Sequence, residues 1–107
     1  MEQHLNFIKK VADTLNLSKT DVEILITLYK KRKLVSEIAE HISRSERHIR
    51  QRLHFLHGKR FLKKEIEVLK NKRIAYRYSL RSIKSIAVEI RRDLLKKLDE
   101  LDKLIVE

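Results

Sequence analysis

Arg47 and Gln51 are the two residues of this sequence whose types and spacing best suit recognition chemistry. They stand four positions apart, so a helix would present them on one face. Arginine can donate two parallel hydrogen bonds to guanine O6 and N7, and a glutamine amide can pair with adenine N6 and N7. The pair therefore favours contact with base edges in the major groove of double-stranded DNA, over the alternative that both are solvated surface residues.

Four further polar residues of the same segment could take part in such a contact. On a helical wheel His54 lies on the same side as the first pair, and His48 and Arg50 lie on its shoulders. Ser45 would cap the start of the helix, where its hydroxyl and the exposed N–H groups could receive a phosphate. Arg52 is different, because it lies beside the apolar positions and could equally form an ion pair within the protein.

The element that must hold these residues is an amphipathic helix. Its apolar positions recur at i, i+4 and i+7, namely Ile49, Leu53 and Leu56. The pattern predicts a helix over 46–57 with Ser45 as its N-cap, and Ser43 with Glu46 is the competing cap. The polar residues described above then lie opposite or beside the buried stripe.

Basic charge is concentrated in the middle third of the chain, around this predicted helix. The 107 residues carry a formal net charge of +11. Residues 44–81 hold thirteen Lys or Arg and three Asp or Glu, a net charge of +10, whereas residues 1–43 carry +1 and residues 82–107 are neutral. General solubility needs no such asymmetry. The distribution therefore favours a polyanionic partner, with a merely solvated basic face as the alternative.

After Gly58 the apolar period changes from helical to alternating, which predicts a β-hairpin over residues 62–80. Its tip carries three basic residues: Lys70, Lys72 and Arg73. Such a tip could lie along the DNA backbone, with Arg73 reaching the minor groove, or it could be an ordinary solvated turn. The hairpin is expected to pack onto the helices through three aromatic residues: Phe61, Tyr76 and Tyr78.

Other helices precede and follow this central segment. Apolar spacing predicts three of them before the turn, at 3–15, 19–32 and 37–42. Ser18, with Asp21 three residues later, is the expected cap of the second helix, and Ser36 is the expected cap of the third. Helical spacing returns from residue 82 to the end of the chain.

The last helix carries a long apolar stripe: Ile86, Ile90, Leu94, Leu98, Leu101 and Ile105. The helical segment that carries the stripe covers about 25 residues, or about 37 Å, which is more than a small domain needs for its core. Such a surplus usually indicates a partner helix, so we expect a homodimer formed through this helix. The alternative is that the helix folds back onto the first one.

Helix, short helix, tight turn, helix and hairpin is the element order of a winged helix-turn-helix. The stretch VSEIAEHISRSERHIRQRLHFLHGKRFLKK resembles the helix-turn-helix of MarR-type and TrmB-type regulators, particularly short archaeal members without an effector domain. The resemblance covers about residues 18–80 and implies a DNA-binding regulator whose wing closes with YRYSL. Arg44 stands where the family usually has an apolar residue, and Arg60 where a glycine commonly starts the wing. We therefore expect the turn and the wing entry to differ locally from the family.

Other chemistry has little support. The sequence contains no cysteine, which excludes disulfides and thiolate metal sites, and it has no Gly-rich phosphate loop or nucleophile elbow that would indicate an enzyme. His54 and His57 at i, i+3 are a weak metal pair, since no carboxylate shares their face. No apolar run approaches a signal peptide or a membrane span of about 18 residues. We expect no catalysis, no cofactor, no metal and no membrane partner.

These observations predict a mainly α protein with a small β-hairpin (α+β), built as a winged helix-turn-helix over residues 1–81 and a dimerisation helix over 82–107. The preferred function is transcriptional regulation by sequence-specific binding to double-stranded DNA, in the cytoplasm at the nucleoid. The first alternative is a chromatin or architectural protein with little sequence preference. The second is a protein-interaction winged helix of the transcription machinery, in which the basic face is incidental.

Overall fold

The computed structural model describes residues 2–105 as five helices and three short strands. In chain order they are α1 (Glu2–Leu15), α2 (Lys19–Lys30), β1 (Lys33–Leu34), α3 (Val35–Ile42), α4 (Glu46–Gly58), β2 (Leu62–Val68), β3 (Ile74–Leu80) and α5 (Ile83–Ile105). The predicted α+β class is confirmed, and each predicted helix is present along with the hairpin. Residues 106 and 107, which the prediction included in the last helix, lie outside the described residues.

Helix α2 begins with the predicted N-cap, Ser18. The Ser18 hydroxyl accepts a hydrogen bond from the Asp21 N–H at 3.1 Å, and the Ser18 N–H donates to the Asp21 carboxylate at 3.1 Å. This reciprocal arrangement satisfies N–H groups that the first turn of a helix leaves without helical partners. The helix ends at Lys30, two residues before the predicted end, because Lys31 is extended (φ −163°, ψ 140°) and the chain turns into β1.

Strand β1 was not predicted from the sequence. Its two residues pair antiparallel with β3, Lys33 opposite Tyr78 and Leu34 opposite Arg77. The sheet order is β1-β3-β2, so β3 is the central strand. A strand of two residues has no room for an alternating pattern, and its pairing partner lies more than forty positions away along the chain. Periodicity therefore gives no signal for it.

The predicted start and cap of α3 were wrong. The helix begins at Val35 rather than at 37, because β1 runs directly into it. The Leu34 N–H donates to the Glu37 carboxylate at 2.7 Å. The Glu37 carboxylate therefore accepts the backbone N–H of the N-cap residue. Ser36 lies inside the first turn of the helix instead of capping it.

The hydrophobic core lies where the first four helices meet the base of the hairpin and the first turns of α5. Its most deeply buried apolar side chains come from α2, α3, α4 and the segment after α4: Ile24, Ile38, Ile49, Leu53, Leu56 and Phe61. Burial of each such side chain contributes about 1.5–3 kcal/mol. Three of the six belong to the predicted apolar stripe of α4, so the core fixes the rotation of that helix about its axis.

The end of α4 has an unusual backbone. Gly58 lies within the last turn of the helix, and the left-handed conformation falls on Arg60 (φ 66°). The Arg60 N–H donates to the His57 carbonyl at 2.9 Å, and the Phe61 N–H donates to the Leu56 carbonyl at 3.2 Å. These are the two bonds that close a helix through a left-handed residue, a place where glycine is the usual residue. An arginine thus occupies a conformation that costs an L-residue about 1–2 kcal/mol.

Helix α5 begins in the core and then leaves it. Ile86 is buried, and Ile83 and Ile90 pack against the core from partly exposed positions. From Leu94 onward the apolar side chains of the helix are exposed, and the molecule is elongated, with extents of 61 × 29 × 23 Å. The core therefore continues past residue 81.

No helix within residues 2–105 is both long enough and apolar enough to span a membrane.

Candidate nucleic-acid interface

Helix α4 presents its predicted polar face to solvent. The opposite, apolar side of the helix is fully buried, so Arg47, Gln51 and His54 all lie on the exposed side. Within the part of the chain that the structure describes, these three side chains form no hydrogen bond or ion pair with another residue. Their donors and acceptors are consequently available to an external ligand.

The two shoulder residues of α4 differ in their surroundings. The Arg50 guanidinium donates to the Glu46 carboxylate at 3.0 Å, one turn earlier, and both side chains are well exposed. An exposed i,i+4 pair contributes only about 0.3–0.5 kcal/mol, so a phosphate can replace Glu46 as the partner of this arginine. His48, on the other shoulder, is half-buried. It can therefore offer less of its ring to a ligand than Arg50 can offer of its guanidinium.

Arg52 forms an ion pair within the protein, so it has the internal role that the sequence predicts as the alternative to contact with DNA. Its Nε donates to Asp21 Oδ1 at 2.7 Å and its Nη2 donates to Oδ2 at 2.8 Å, and the carboxylate has no solvent exposure. Burial alone would raise the pKa of the Asp21 carboxyl, but the hydrogen bonds from Arg52 and Ser18 outweigh it, and the pKa is lowered. The hydrogen bond to Asp21 correspondingly raises the pKa of Arg52. The pair joins α4 to α2.

The turn between α3 and α4 contains two capping serines, one at the end of α3 and one at the start of α4. Ser43 is left-handed (φ 61°) and ends α3, so it is not the cap of α4. The Ser45 hydroxyl accepts the backbone N–H three residues later at 3.1 Å, as predicted, and its own proton remains available to a phosphate oxygen. Glu46 places a carboxylate in the same first turn. Arg44, the residue that departs from the resembled family, is accommodated because its side chain is exposed.

The hairpin tip is a closed basic loop. The Leu69 N–H donates to the Arg73 carbonyl at 2.9 Å, the Lys72 N–H donates to the Leu69 carbonyl at 2.9 Å, and Lys72 is left-handed (φ 63°). The Asn71 side-chain oxygen accepts the Arg73 N–H at 3.0 Å. Lys70, Lys72 and Arg73 are all exposed. The loop backbone is thus fixed, while its three cationic side chains extend into solvent.

The hairpin is attached to both helices of the helix-turn-helix. Arg77 on β3 donates to the Glu67 carboxylate at 2.8 Å and to the Glu37 carboxylate of α3 at 3.4 Å. The hydrogen bond to Glu67 is the main reason why the pKa of Arg77 is raised. On the other side, buried Tyr78 meets His57 of α4 edge to face, with ring centroids 6.4 Å apart. These contacts fix the hairpin relative to the exposed face of α4.

A cleft of about 440 Å³ separates α4 from the outer part of the hairpin. Arg50 and Glu46 line the helix side, and Arg73, Ile74 and Tyr76 line the hairpin side. An arginine on each side gives the cleft a positive charge that the single carboxylate only partly offsets. The cleft therefore suits an anionic chain lying between the helix and the hairpin.

The outer hairpin differs from the prediction in one respect. Phe61 and Tyr78 pack into the core as expected, but Tyr76 is 41% exposed. Three neighbours on the same face are 68%, 68% and 66% exposed: Ile66, Val68 and Ile74. The alternating pattern identifies which residues share this face, but it does not indicate how far a hairpin extends beyond the helices. We call these four residues the outer wing face.

The predicted dimerisation residues fall into two groups. Ile86 is only 4% exposed and packs within its own chain, so it is not available to another one. Exposure then rises along the helix, from 38% at Leu94 to 55% at Leu98 and 56% at Leu101, and it reaches 77% at Ile105. Beside these residues, α1 and α5 form an apolar groove of about 470 Å³ that includes Ile90 and Leu94.

The two histidines with metal-like spacing, His54 and His57, lie on α4. Within residues 2–105, no three His, Cys, Asp or Glu side chains come together in a way that could hold a metal ion. His57 contacts the ring of Tyr78.

Several solved structures share the fold of this chain. A possible transcriptional regulator from Methanosarcina mazei Go1 is 17% identical, with a TM-score of 0.75 over 89% of this chain and 82% of that one. The ST1889 protein from the thermoacidophilic archaeon Sulfolobus tokodaii is 21% identical, with a TM-score of 0.62 over 92% and 93%. A mutant of ZitR from Lactococcus lactis in complex with DNA is 22% identical, with a TM-score of 0.54 over 82% and 60%. No family profile and no curated protein sequence matches the chain.

Identities at this level show the fold alone. Together with the element order, they establish a winged helix-turn-helix, in which α3 and α4 are the helix-turn-helix and the β2–β3 hairpin is the wing. The fold class predicted from the sequence is therefore confirmed.

Proposed function

We propose that this protein is a sequence-specific transcriptional regulator that binds double-stranded DNA as a homodimer. In this proposal α4 enters the major groove, where Arg47 and Gln51 contact base edges and His54, His48 and Arg50 contact bases or backbone. Ser45 contacts a phosphate at the start of the helix. The wing places Lys70, Lys72 and Arg73 on the backbone or in the minor groove.

One observation carries the proposal: among residues 2–105, the side chains of Arg47, Gln51 and His54 on the exposed face of α4 form no hydrogen bond or ion pair, whereas the nearby Arg52 donates two hydrogen bonds to Asp21. A basic surface that served only solubility would not need base-reading residue types at the centre of this face. The net charge of +10 over residues 44–81 surrounds the same face with counter-charge for phosphates. Charge supplies affinity, and Arg47 with Gln51 supplies sequence preference.

The similar structures support the same assignment. One of them is a possible transcriptional regulator, and another was solved in complex with DNA. We extend both properties to this chain as part of the proposal, and we place it among short archaeal regulators of the MarR-like or TrmB-like type that act in the cytoplasm at the nucleoid. No catalytic role is proposed.

The dimer is the second part of the proposal. We assign residues 1–81 to DNA binding and residues 82–107 to self-association, although the first turns of α5, around Ile86, also complete the core of the DNA-binding part. Leu94, Leu98 and Leu101 expose a continuous apolar side of α5 that a second copy of the chain would cover. The helix carries no net charge over residues 82–107, so it has no evident role at an anionic ligand. A two-fold dimer would present two α4 helices to successive major grooves.

Two other functions use the same fold. A chromatin or architectural protein would bind duplex DNA with little sequence preference, and a subunit of the transcription machinery would use the fold for protein contacts. Selection of bound duplexes from a random pool, followed by binding to the selected duplex and to a scrambled one at several salt concentrations, separates the three. The proposal expects a selected motif and an affinity that falls steeply with salt. Salt-dependent binding without a motif would establish the architectural role, and a flat salt dependence would exclude DNA as the partner.

A further inference from the structure

The outer wing face is an exposed apolar surface with a defined geometry. Ile66 stands opposite Tyr76 and Val68 stands opposite Ile74 across the two strands, so the four side chains form one contiguous patch. Each is between 41% and 68% exposed. Folding does not require apolar residues there, because the hairpin is already held by Tyr78 at its base and by Arg77 on its other face. A contiguous exposed patch of this kind usually marks a contact with another molecule.

The charges around the patch indicate what that molecule is. Lys64 lies on the same face, with its Nζ 4.2 Å from the centroid of the Tyr76 ring. The tip residues Lys70, Lys72 and Arg73 border the outer end. The two acidic residues of β2 lie on the opposite face, where Glu67 binds Arg77 and Glu65 is 3.9 Å from Arg32. The patch is therefore apolar at its centre and cationic at its rim, which fits a ligand with apolar walls between anionic edges.

The minor groove of duplex DNA has this chemistry, since deoxyribose forms its walls and phosphates line its edges. The position of the patch also fits. Ile74 and Tyr76 border the cleft between the hairpin and α4. One backbone strand separates a major groove from the adjacent minor groove. With α4 in the major groove and that strand in the cleft, the outer wing face meets the minor groove.

Resting on the proposed function, we infer that the outer wing face is an apolar wedge that enters the minor groove and bends the duplex. Val68 and Ile74, the pair nearest the tip, press between the deoxyribose walls against a base step, while Lys72 and Arg73 hold the flanking phosphates. Apolar side chains inserted between base steps from the minor groove partly unstack them and bend duplexes by about 20–90°. The wing thus contributes sequence preference through groove width and step flexibility, in addition to charge.

The inference predicts a particular base preference under the wing. Guanine projects its 2-amino group into the minor groove, where it would collide with the wedge, whereas A·T pairs leave the groove floor open. Replacing guanine by inosine removes this amino group and leaves the major-groove pattern of the pair unchanged. Inosine substitution therefore isolates minor-groove contact by the wing from major-groove contact by α4.

The experiment compares the full-length protein with a V68T/I74T variant. Both positions are well exposed, and threonine is a good strand former, so the variant is expected to fold; thermal unfolding checks this. Bend angle is measured by fluorescence energy transfer between the ends of a duplex that carries A·T, G·C or I·C pairs at the wing position. The unmodified protein should bend and bind the I·C duplex as strongly as the A·T duplex. It should bind the G·C duplex about fivefold or more weakly. The variant should lose most of the bend and of this discrimination.

A K72Q variant is the matched control at the tip. It removes one phosphate contact, so its salt slope should become shallower by about 0.9 and it should bind all three duplexes more weakly, while the ratio of its I·C affinity to its G·C affinity stays that of the unmodified protein. The V68T/I74T variant removes no charge, so its salt slope should be unchanged. Equal bends in V68T/I74T and the unmodified protein, or equal binding of G·C and I·C duplexes by the latter, would overturn the wedge while leaving the proposed regulator intact. Absence of any salt-dependent duplex binding by the unmodified protein would overturn both.

Discussion

Arg52 and Asp21 lie 31 residues apart in sequence and join α4 to α2 through two hydrogen bonds of 2.7 and 2.8 Å. The carboxylate is fully buried, and Ser18 provides a third hydrogen bond to it from the backbone. This ion pair and the buried apolar stripe of α4 therefore act together to fix the rotation of α4 about its axis. Since the exposed face of α4 is the proposed base-reading surface, this internal ion pair positions that surface without contacting DNA.

Removing the arginine of this pair should destabilise the fold. Arg52→Leu keeps a bulky side chain but leaves the buried Asp21 carboxylate without its main partner, and breaking one side of a buried pair costs about 3–5 kcal/mol. The Arg52 side chain is 30% exposed, so we expect a loss near the lower end, about 3 kcal/mol, in the free energy of unfolding by urea. Arg47→Ala is the control, and its change should stay within about 0.5 kcal/mol. Similar losses in the two variants would contradict the assigned role of Arg52.

Acid should weaken the same contact. Burial raises the pKa of Asp21, but the hydrogen bonds from Arg52 and Ser18 outweigh it, so the folded-state pKa lies below that of an aspartate in the unfolded chain. The unfolded chain therefore takes up the proton first as pH falls. The stabilisation from Asp21 is complete well above the unfolded pKa, and it is lost as pH drops through that value toward the folded pKa. Urea unfolding of the unmodified protein and Asp21→Asn should show a difference in stability that narrows from pH 6 to pH 3. A difference that stays constant over this range would refute the contribution.

The helix end of α4 offers two stabilising substitutions. Gly58 lies in the helix, and a Cβ built there meets no atom within 4 Å, so Gly58→Ala should raise stability by about 0.5 kcal/mol. Arg60 is left-handed, so Arg60→Gly should also raise stability by about 0.5–1 kcal/mol once the entropy of glycine in the unfolded chain is deducted. Arg60→Ala keeps the Cβ and should bring no gain. Thermal unfolding measures all three, and a loss of stability in Arg60→Gly would show that the arginine side chain matters more than its backbone.

Base reading and backbone holding should separate in the binding data. Gln51→Ala or Arg47→Ala should weaken binding to the selected duplex by about 1–3 kcal/mol and affect a scrambled duplex less. Lys72→Ala should weaken binding to both duplexes to a similar extent and make the salt slope shallower, because it removes a phosphate contact. Fluorescence anisotropy titrations at two salt concentrations measure both effects. Identical behaviour of the three variants on the two duplexes would support the architectural function.

Self-association should depend on the exposed half of α5. Leu98 and Leu101 are more than half exposed and lie outside the core, so Leu98→Glu with Leu101→Glu should give a folded monomer. Its DNA affinity should fall, since two half-sites are no longer bound as one. Lys96→Glu is the matched control, because it adds a glutamate about 160° from Leu98 and about 140° from Leu101 around the same helix and should leave the dimer intact. Sedimentation at micromolar concentration measures the mass, and a monomeric unmodified protein would refute the dimer.

Local patterns predicted most of the fold, and contacts between distant residues account for the rest. The stripe of α4 and the cap at Ser45 are recognisable because every residue involved lies within a few turns of the helix. Strand β1, the true start of α3 and the exposure of Tyr76 depend on where the hairpin lies in space. The same holds for Arg52, because its partner Asp21 lies on α2, 31 residues away in the sequence.

The pairing of Leu34 with Arg77 has a consequence for the spacing of the DNA contacts. Leu34 is followed directly by the first residue of α3, so no loop separates the sheet from the helix-turn-helix at this point. Together with the contacts of Arg77 and Tyr78, this leads us to expect that the distance and the angle between the α4 face and the wing tip vary little. Duplex DNA rotates by about 34° per base pair, given about 10.5 base pairs per turn. A protomer of this build therefore accepts a single helical phase between its two contacts, and inserting one base pair between them should break one contact or the other.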